Sequence, residues 1–166
     1  INYKKKIKTA AEISKLIGKI PRKKKVIMCH GNFDIVHPGH IRHLMYASSK
    51  ADILIASLTC DAFITKGNNR PYVPEELRAI NLSVLDMVDY VIIDRNAKPL
   101  KNIKKIRPDF FAKGSDYVTD GLTPKTLEEK KLVESYGGEI IFSPGDIVYS
   151  SSNIISKRPP NLKYEK

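Results

Sequence analysis

Four histidines, His30, His37, His40 and His43, fall within fourteen residues. Two of them flank a Pro-Gly pair in the run Gly31-Asn-Phe-Asp-Ile-Val-His37-Pro-Gly-His40. Proline is well suited to the first turn of a helix, so a helix starting at Pro38 would set both imidazoles around its beginning. Unpaired N–H groups and the positive end of the helix dipole favour an anion there. Two imidazoles at such a place suit the charge that builds up on a phosphoryl group during transfer. Gly31 and Gly39 let a backbone or a phosphate approach without a Cβ in the way. Zinc is the competing chemistry, but no Cys or carboxylate shares the spacing of a familiar site and H-E-x-x-H is absent. His30 and His43 read as surface or structural side chains, Asp34 as a loop brace, and Phe33 as packing within the same loop.

The elements that must hold this loop can be read from periodicity. Short apolar runs at Val26–His30, Asp52–Leu58, Tyr90–Asp94, Asp109–Ala112 and Glu139–Ser143 suit strands covered on both faces. Helical patterns lie near 38–50, 74–86, 97–106 and 124–136, with Pro38, Pro74 and Pro124 at first turns and Gly137-Gly138 as a stop. A further amphipathic helix is expected over 7–20. Strand and helix in alternation imply an α/β fold: an open parallel sheet with helices on both faces, in a single domain. Ligands of such sheets bind beyond the carboxyl ends of the strands, so chemistry is to be sought just after each one.

Composition narrows the classes. The chain has 166 residues, 42% of them hydrophobic and 28% charged, near globular averages. Two cysteines, Cys29 and Cys60, exclude a disulfide scaffold and suggest a reducing compartment, here taken as the cytoplasm. No apolar run has the length of a membrane span, and no membrane partner is expected. The net charge of +11 resembles a nucleic-acid signal until it is located. Residues 1–25 carry ten basic side chains and one acidic, and residues 157–166 four and one. The body between them is left at −1. A basic N-terminal helix and linker (1–25), a catalytic domain (26–156) and a C-terminal tail (157–166) are therefore expected. The charged ends are read as solvated tails, and nucleic acid is not expected as a partner.

The run G-x-F-D-x-x-H-x-G-H resembles the signature of cytidylyltransferase-like nucleotidylyltransferases. Asp61-Ala-Phe-Ile-Thr-Lys66 with Gly67, Arg70 and Pro71 resembles that family's loop after the second strand. Glu75-Glu-Leu-Arg78 resembles its E-E-x-R element. Arg107-Pro-Asp-Phe-Phe-Ala-Lys113-Gly114-Ser-Asp116-Tyr117 resembles R-P-D-x-x-x-K-G-x-D-Y, and Tyr149-Ser150-Ser151-Ser152-Asn-Ile-Ile the closing I-S-S-T-x-I-I. Five motifs in order, from about Val26 to Ile155, make the resemblance specific. It is nearest to the adenylyltransferase half of bifunctional heptose-phosphate kinase/adenylyltransferases. Gly145 stands where glycerol-3-phosphate cytidylyltransferases have arginine, which argues against that branch.

The resemblance implies a Rossmann-like fold and transfer of a nucleotidyl group from an NTP, ATP favoured, to a sugar 1-phosphate, with release of pyrophosphate. It implies His37, His40 and Lys66 as catalytic residues. It implies nucleotide contacts from Gly31, Asn32, Phe33, Gly39 and Arg78, from Lys113, Gly114 and Asp116, and from Ser150, Ser151 and Ser152. Asp61, Lys66 and Arg70 would face the acceptor. Magnesium would arrive on the triphosphate, and no metal site of the protein's own is expected. A homodimer, and a sugar kinase fused to this domain or working beside it, are implied as partners. Two alternatives stay open: a CTP-dependent enzyme acting on a small alcohol or polyol phosphate, and a non-catalytic nucleotide- or RNA-binding module.

Overall fold

In the computed structural model, residues 2–65, 67, 69–115, 121–144 and 154–155 are described. Five strands, β1 (Val26–Gly31), β2 (Ile53–Thr59), β3 (Tyr90–Asp94), β4 (Phe110–Lys113) and β5 (Glu139–Phe142), pair in the order β3-β2-β1-β4-β5. Every pairing is parallel. Five α-helices connect or flank them: α1 (Ala10–Ile17), α2 (Pro38–Ser48), α3 (Glu75–Ser83), α4 (Leu100–Ile106) and α5 (Pro124–Ser135). This is the expected Rossmann-like sheet. The near-continuous apolar strands have two faces to bury. Ile27, Cys29, Leu54 and Ala56 pack with Leu44 and Ala47 of α2 and Ala79 and Leu82 of α3. Val26, Met28, Ile55 and Phe111 pack on the opposite face with Ile13 of α1, Ile103 and Ile106 of α4, and Val133 of α5. Strand order reverses between β1 and β4, and their carboxyl ends form the crevice where such sheets bind ligands.

The N-terminal segment departs from expectation. It is no solvated tail over its described residues 2–25. Thr9 caps α1 by accepting from the Glu12 amide at 3.2 Å, while the Glu12 carboxylate accepts from the Thr9 amide at 2.7 Å. The helix starts at Ala10 and Gly18, with φ +73°, ends it, so it is shorter at both ends than the expected 7–20. Ile13 is fully buried, worth about 2 kcal/mol of apolar burial. Ile7 forms a parallel bridge with Val91 and so covers part of the open edge of β3. Arg22 pairs with Asp109 at 3.1 Å and donates to the Ile106 carbonyl at 2.6 Å, with its side chain almost entirely buried. The physical reason is amphipathicity: the charge lies on the outer faces, while the apolar stripe between the lysines completes the core. The closing motif from Tyr149 and the tail 157–166 lie outside the described residues except for Ile154 and Ile155, which are helical.

One glycine is sterically required. A Cβ on Gly138 would lie 2.8 Å from the Tyr136 ring and 2.9 Å from Val133, so the turn from α5 into β5 closes only without one.

Candidate active site

The site begins where β1 ends. His37 is the N-cap of α2, and its Nδ1 accepts the Gly39 amide at 3.1 Å. One helix-terminal N–H is thus satisfied by the histidine itself, and the neutral ring is held with its proton on Nε2. The His37 and His40 rings stack with centroids 3.8 Å apart at 26°. Phe33, in a left-handed backbone conformation (φ +48°), is buried in the core with its ring 5.1 Å from His40. Gly31 lies directly beside it: a Cβ there would touch the Phe33 ring at 3.4 Å. Phe33 therefore sits beneath the loop as a support.

Burial lowers the pKa of His37 below the ordinary histidine value. His40 is pushed down to about 3, chiefly by burial and then by the charges of His37 and His43, with the Ile35 backbone opposing. Both rings are neutral near pH 7 in the free protein. They offer N–H groups to an incoming anion, and a triphosphate would pull protons toward them.

The loop after β2 carries the expected basic residues, and most of them are already committed to protein groups. Arg78 is fully buried. Its guanidinium donates to the Val73 carbonyl at 2.8 Å, the Asn32 and Thr59 carbonyls at 2.7 Å each, and Asp61 Oδ1 at 2.6 Å. Arg78, expected at the nucleotide, lies beneath the site and ties the exits of β1 and β2 to the start of α3. Glu75, three residues before Arg78 on the same helix, accepts from the Asp61 amide at 2.7 Å and pairs with Arg95. Arg70 and Asp61, expected at the acceptor, are likewise drawn into the scaffold. Arg70 pairs at 2.8 Å with the fully buried Asp34, which also accepts from the Tyr72 and Val73 amides at 3.0 and 2.9 Å. Asp61 holds Arg78. A buried guanidinium without carboxylate and carbonyl partners is too costly to keep, so the fold has spent these donors internally. Lys66, the remaining basic candidate of this loop, lies outside the described residues.

Across the crevice, Lys113 at the end of β4 is buried and pairs with Glu129 of α5 at 2.5 Å. His30, at the end of β1, contacts Ser57 Oγ at 2.9 Å and Thr59 Oγ1 at 3.3 Å, and burial drives its pKa to about 3. Gly114 follows Lys113 directly; Asp116, Ser150, Ser151 and Ser152 lie outside the described residues. The structure therefore brings His37, His40, Gly31, Asn32 and Gly39 to one wall of the crevice and Lys113 with Gly114 to the strand that forms the other. Glu129 and Ser143 were missed by sequence reasoning. Glu129 gave no signal, being one of two adjacent glutamates on a charged helix, whereas Ser143 follows β5, where a search after each strand could have found it. Among the described residues, no group of three or more His, Cys, Asp or Glu is placed to hold a metal ion, and no helix is long and apolar enough to cross a membrane. A hollow of about 520 Å³ between α1 and α4 opens on the sheet face away from α2 and contains none of these residues.

A parallel sheet of this order, with a stacked histidine pair at the helix start beside its switch point, defines a Rossmann-like protein built to bind a phosphorylated ligand. The chain belongs to the cytidylyltransferase-like family, whose model matches residues 28–157, and is a nucleotidylyltransferase. It is 38% identical over 138 residues to the "Bifunctional protein HldE" of Geobacter metallireducens, covering 82% of this chain and 27% of that one. To the protein of the same name in Campylobacter curvus it is 42% identical over 140 residues, covering 82% and 30%. The chain thus spans less than a third of the length of these relatives. Two solved structures share the fold. A lipopolysaccharide core biosynthesis protein from Thermoplasma volcanium matches at TM-score 0.59 and 24% identity, over 72% of this chain and 93% of that one. A pantoate-beta-alanine ligase from Francisella tularensis, complexed with beta-gamma ATP and beta-alanine, matches at TM-score 0.64 and 17% identity, over 91% and 73%.

Proposed function

We propose that this domain transfers the adenylyl group of ATP to a sugar 1-phosphate, a heptose 1-phosphate or close analogue, giving an ADP-sugar and pyrophosphate. The observation that carries the reading is the stacked, neutral His37–His40 pair at the start of α2, opening on the β1/β4 crevice. A phosphate oxygen of the acceptor attacks the α-phosphorus in line. An oxygen–phosphorus bond forms, the bond to the β-phosphate oxygen breaks, and pyrophosphate leaves. Little covalent work falls to the protein, so rate comes from positioning and charge stabilisation. His37 and His40 place N–H donors at the α-phosphate, where charge grows in the transition state. Lys66 holds phosphate oxygens, Ser150, Ser151 and Ser152 receive the leaving pyrophosphate, and Lys113, Gly114 and Asp116 line the nucleotide pocket. Magnesium, carried by the triphosphate on phosphate and water oxygens, neutralises part of its charge.

A second activity beside the transfer is supported by relatives named bifunctional, of which this chain matches less than a third. A sugar kinase, fused or separate, would supply the acceptor. The test is to incubate the purified protein with each NTP and a panel of sugar 1-phosphates, and to identify products by mass spectrometry. An ADP-heptose with stoichiometric pyrophosphate is expected. A CDP-alcohol formed from CTP and a polyol phosphate would transfer the assignment to the cytidylyl branch, and no product from any pair would overturn it.

A further inference from the structure

His43 is the one member of the α2 histidine cluster to which the reaction above gives no part. It lies one turn beyond His40, and its charge is among the causes that depress the pKa of His40. Its Nδ1 is 2.7 Å from Ser143 Oγ. Ser143 directly follows β5 and is buried; its amide donates to the Lys113 carbonyl at 2.9 Å. A continuous path therefore runs from α2 through His43 and Ser143 to the end of β4. It spans the crevice at which strand order reverses, linking the helix that carries His37 and His40 to the strand that carries Lys113. The apolar anchors of α2, Leu44 and Ala47, lie on the sheet side, and the directional hydrogen bond to Ser143 stands one turn beyond His40.

We infer that His43 is a positioning residue for the transfer reaction: through Ser143 it sets where His40 stands relative to β4. The inference rests on the proposed transferase reading. Around His40 the titratable neighbours are His37 and His43 on α2; across the crevice, Lys125 of α5 and Lys113 of β4 act on His30 of β1. Small displacements of a reacting group lower kcat steeply while leaving most ground-state contacts intact.

The experiment compares His43→Phe, Ser143→Ala and His43→Asn in the full chain. His43→Phe and Ser143→Ala should each lower kcat about tenfold with KM for ATP changed by less than about threefold and Tm little altered. His43→Asn, whose amide occupies the place of Nδ1 and can still meet Ser143, should recover most of the rate. Unchanged kcat in both disrupted variants, or a loss of activity that merely follows loss of folded protein, would overturn the inference. A second readout needs no turnover: the His40 Hε1 chemical shift by NMR in nucleotide-free protein at one fixed pH, which is sensitive to where the ring stands against the stacked His37 ring. Ser143→Ala, which brings no new ring near the site, should move it. An unmoved resonance would contradict the positioning even if wild type proved inactive with every NTP, a result that would separately sink the transferase reading.

Discussion

The loops after β1 and after β2 lie side by side at the carboxyl edge of the sheet, and they are built on opposite principles. The first presents two histidines whose pKa values burial lowers. The second contains Arg70, Asp61 and, from α3, Arg78 and Glu75, whose charges are matched to Asp34, to each other or to Arg95. The permanent cations lie in the second loop and in α3, and the geometry has committed Arg70 and Arg78 to protein partners. A cation whose donors are occupied by carbonyls and carboxylates has little left for a substrate, while a neutral imidazole at a helix start can respond when a triphosphate arrives. Proximity of charge to a site is thus a poor guide; the partners already made decide what can act.

That contrast can be broken at its strongest point first. Arg78→Ala would leave the Asn32, Thr59 and Val73 carbonyls and Asp61 without their shared donor, and should cost about 3–5 kcal/mol of stability. Chemical denaturation would measure it. A stable Arg78→Ala protein with a large, isolated rise in KM for ATP would restore the nucleotide role and undo the comparison.

The opposite signature is expected on the other loop. His37→Ala and His40→Ala should each reduce kcat by about 10²-fold or more, with much smaller changes in KM and stability. Steady-state kinetics on folded variants would decide, and near-normal kcat in both would leave the pair without a catalytic part.

Acid should distinguish the two loops more gently. His30 and His40, with folded values of about 3 against an unfolded value near 6.5, bind fewer protons in the native state between those limits. Stability therefore falls as pH drops below about 6.5, by on the order of 2 kcal/mol for each at pH 5. Thermal melts should show that slope for the wild type. His30→Gln and His40→Gln should each flatten it, and an unaltered slope in both would show that burial does not govern these rings.

Much of the architecture was legible in advance because its causes are local. Strand runs apolar throughout, proline at helix starts and glycine after helix ends act over a few residues, and β3 was placed to the residue. The motif around His37 and His40 was legible for the same reason: chain neighbours three apart at a helix start must meet. The sequence also held the capping signal at Thr9 and Glu12, which bounds α1 more tightly than its apolar spacing alone. What sequence could not decide was which partners, distant along the chain, each charge would meet. Arg22 lies 87 residues from Asp109, Arg78 46 from Asn32, and His43 100 from Ser143. Whether lysines at the N-terminus belong to a tail or to the outer face of a core helix likewise depends on the bare edge of β3 waiting for Ile7. The sequence by itself determined the order of elements and the residues able to do phosphoryl chemistry. Only the tertiary structure determined which of them were free to do it, because desolvation and hydrogen-bond competition are settled between strands and helices that meet only when the sheet closes.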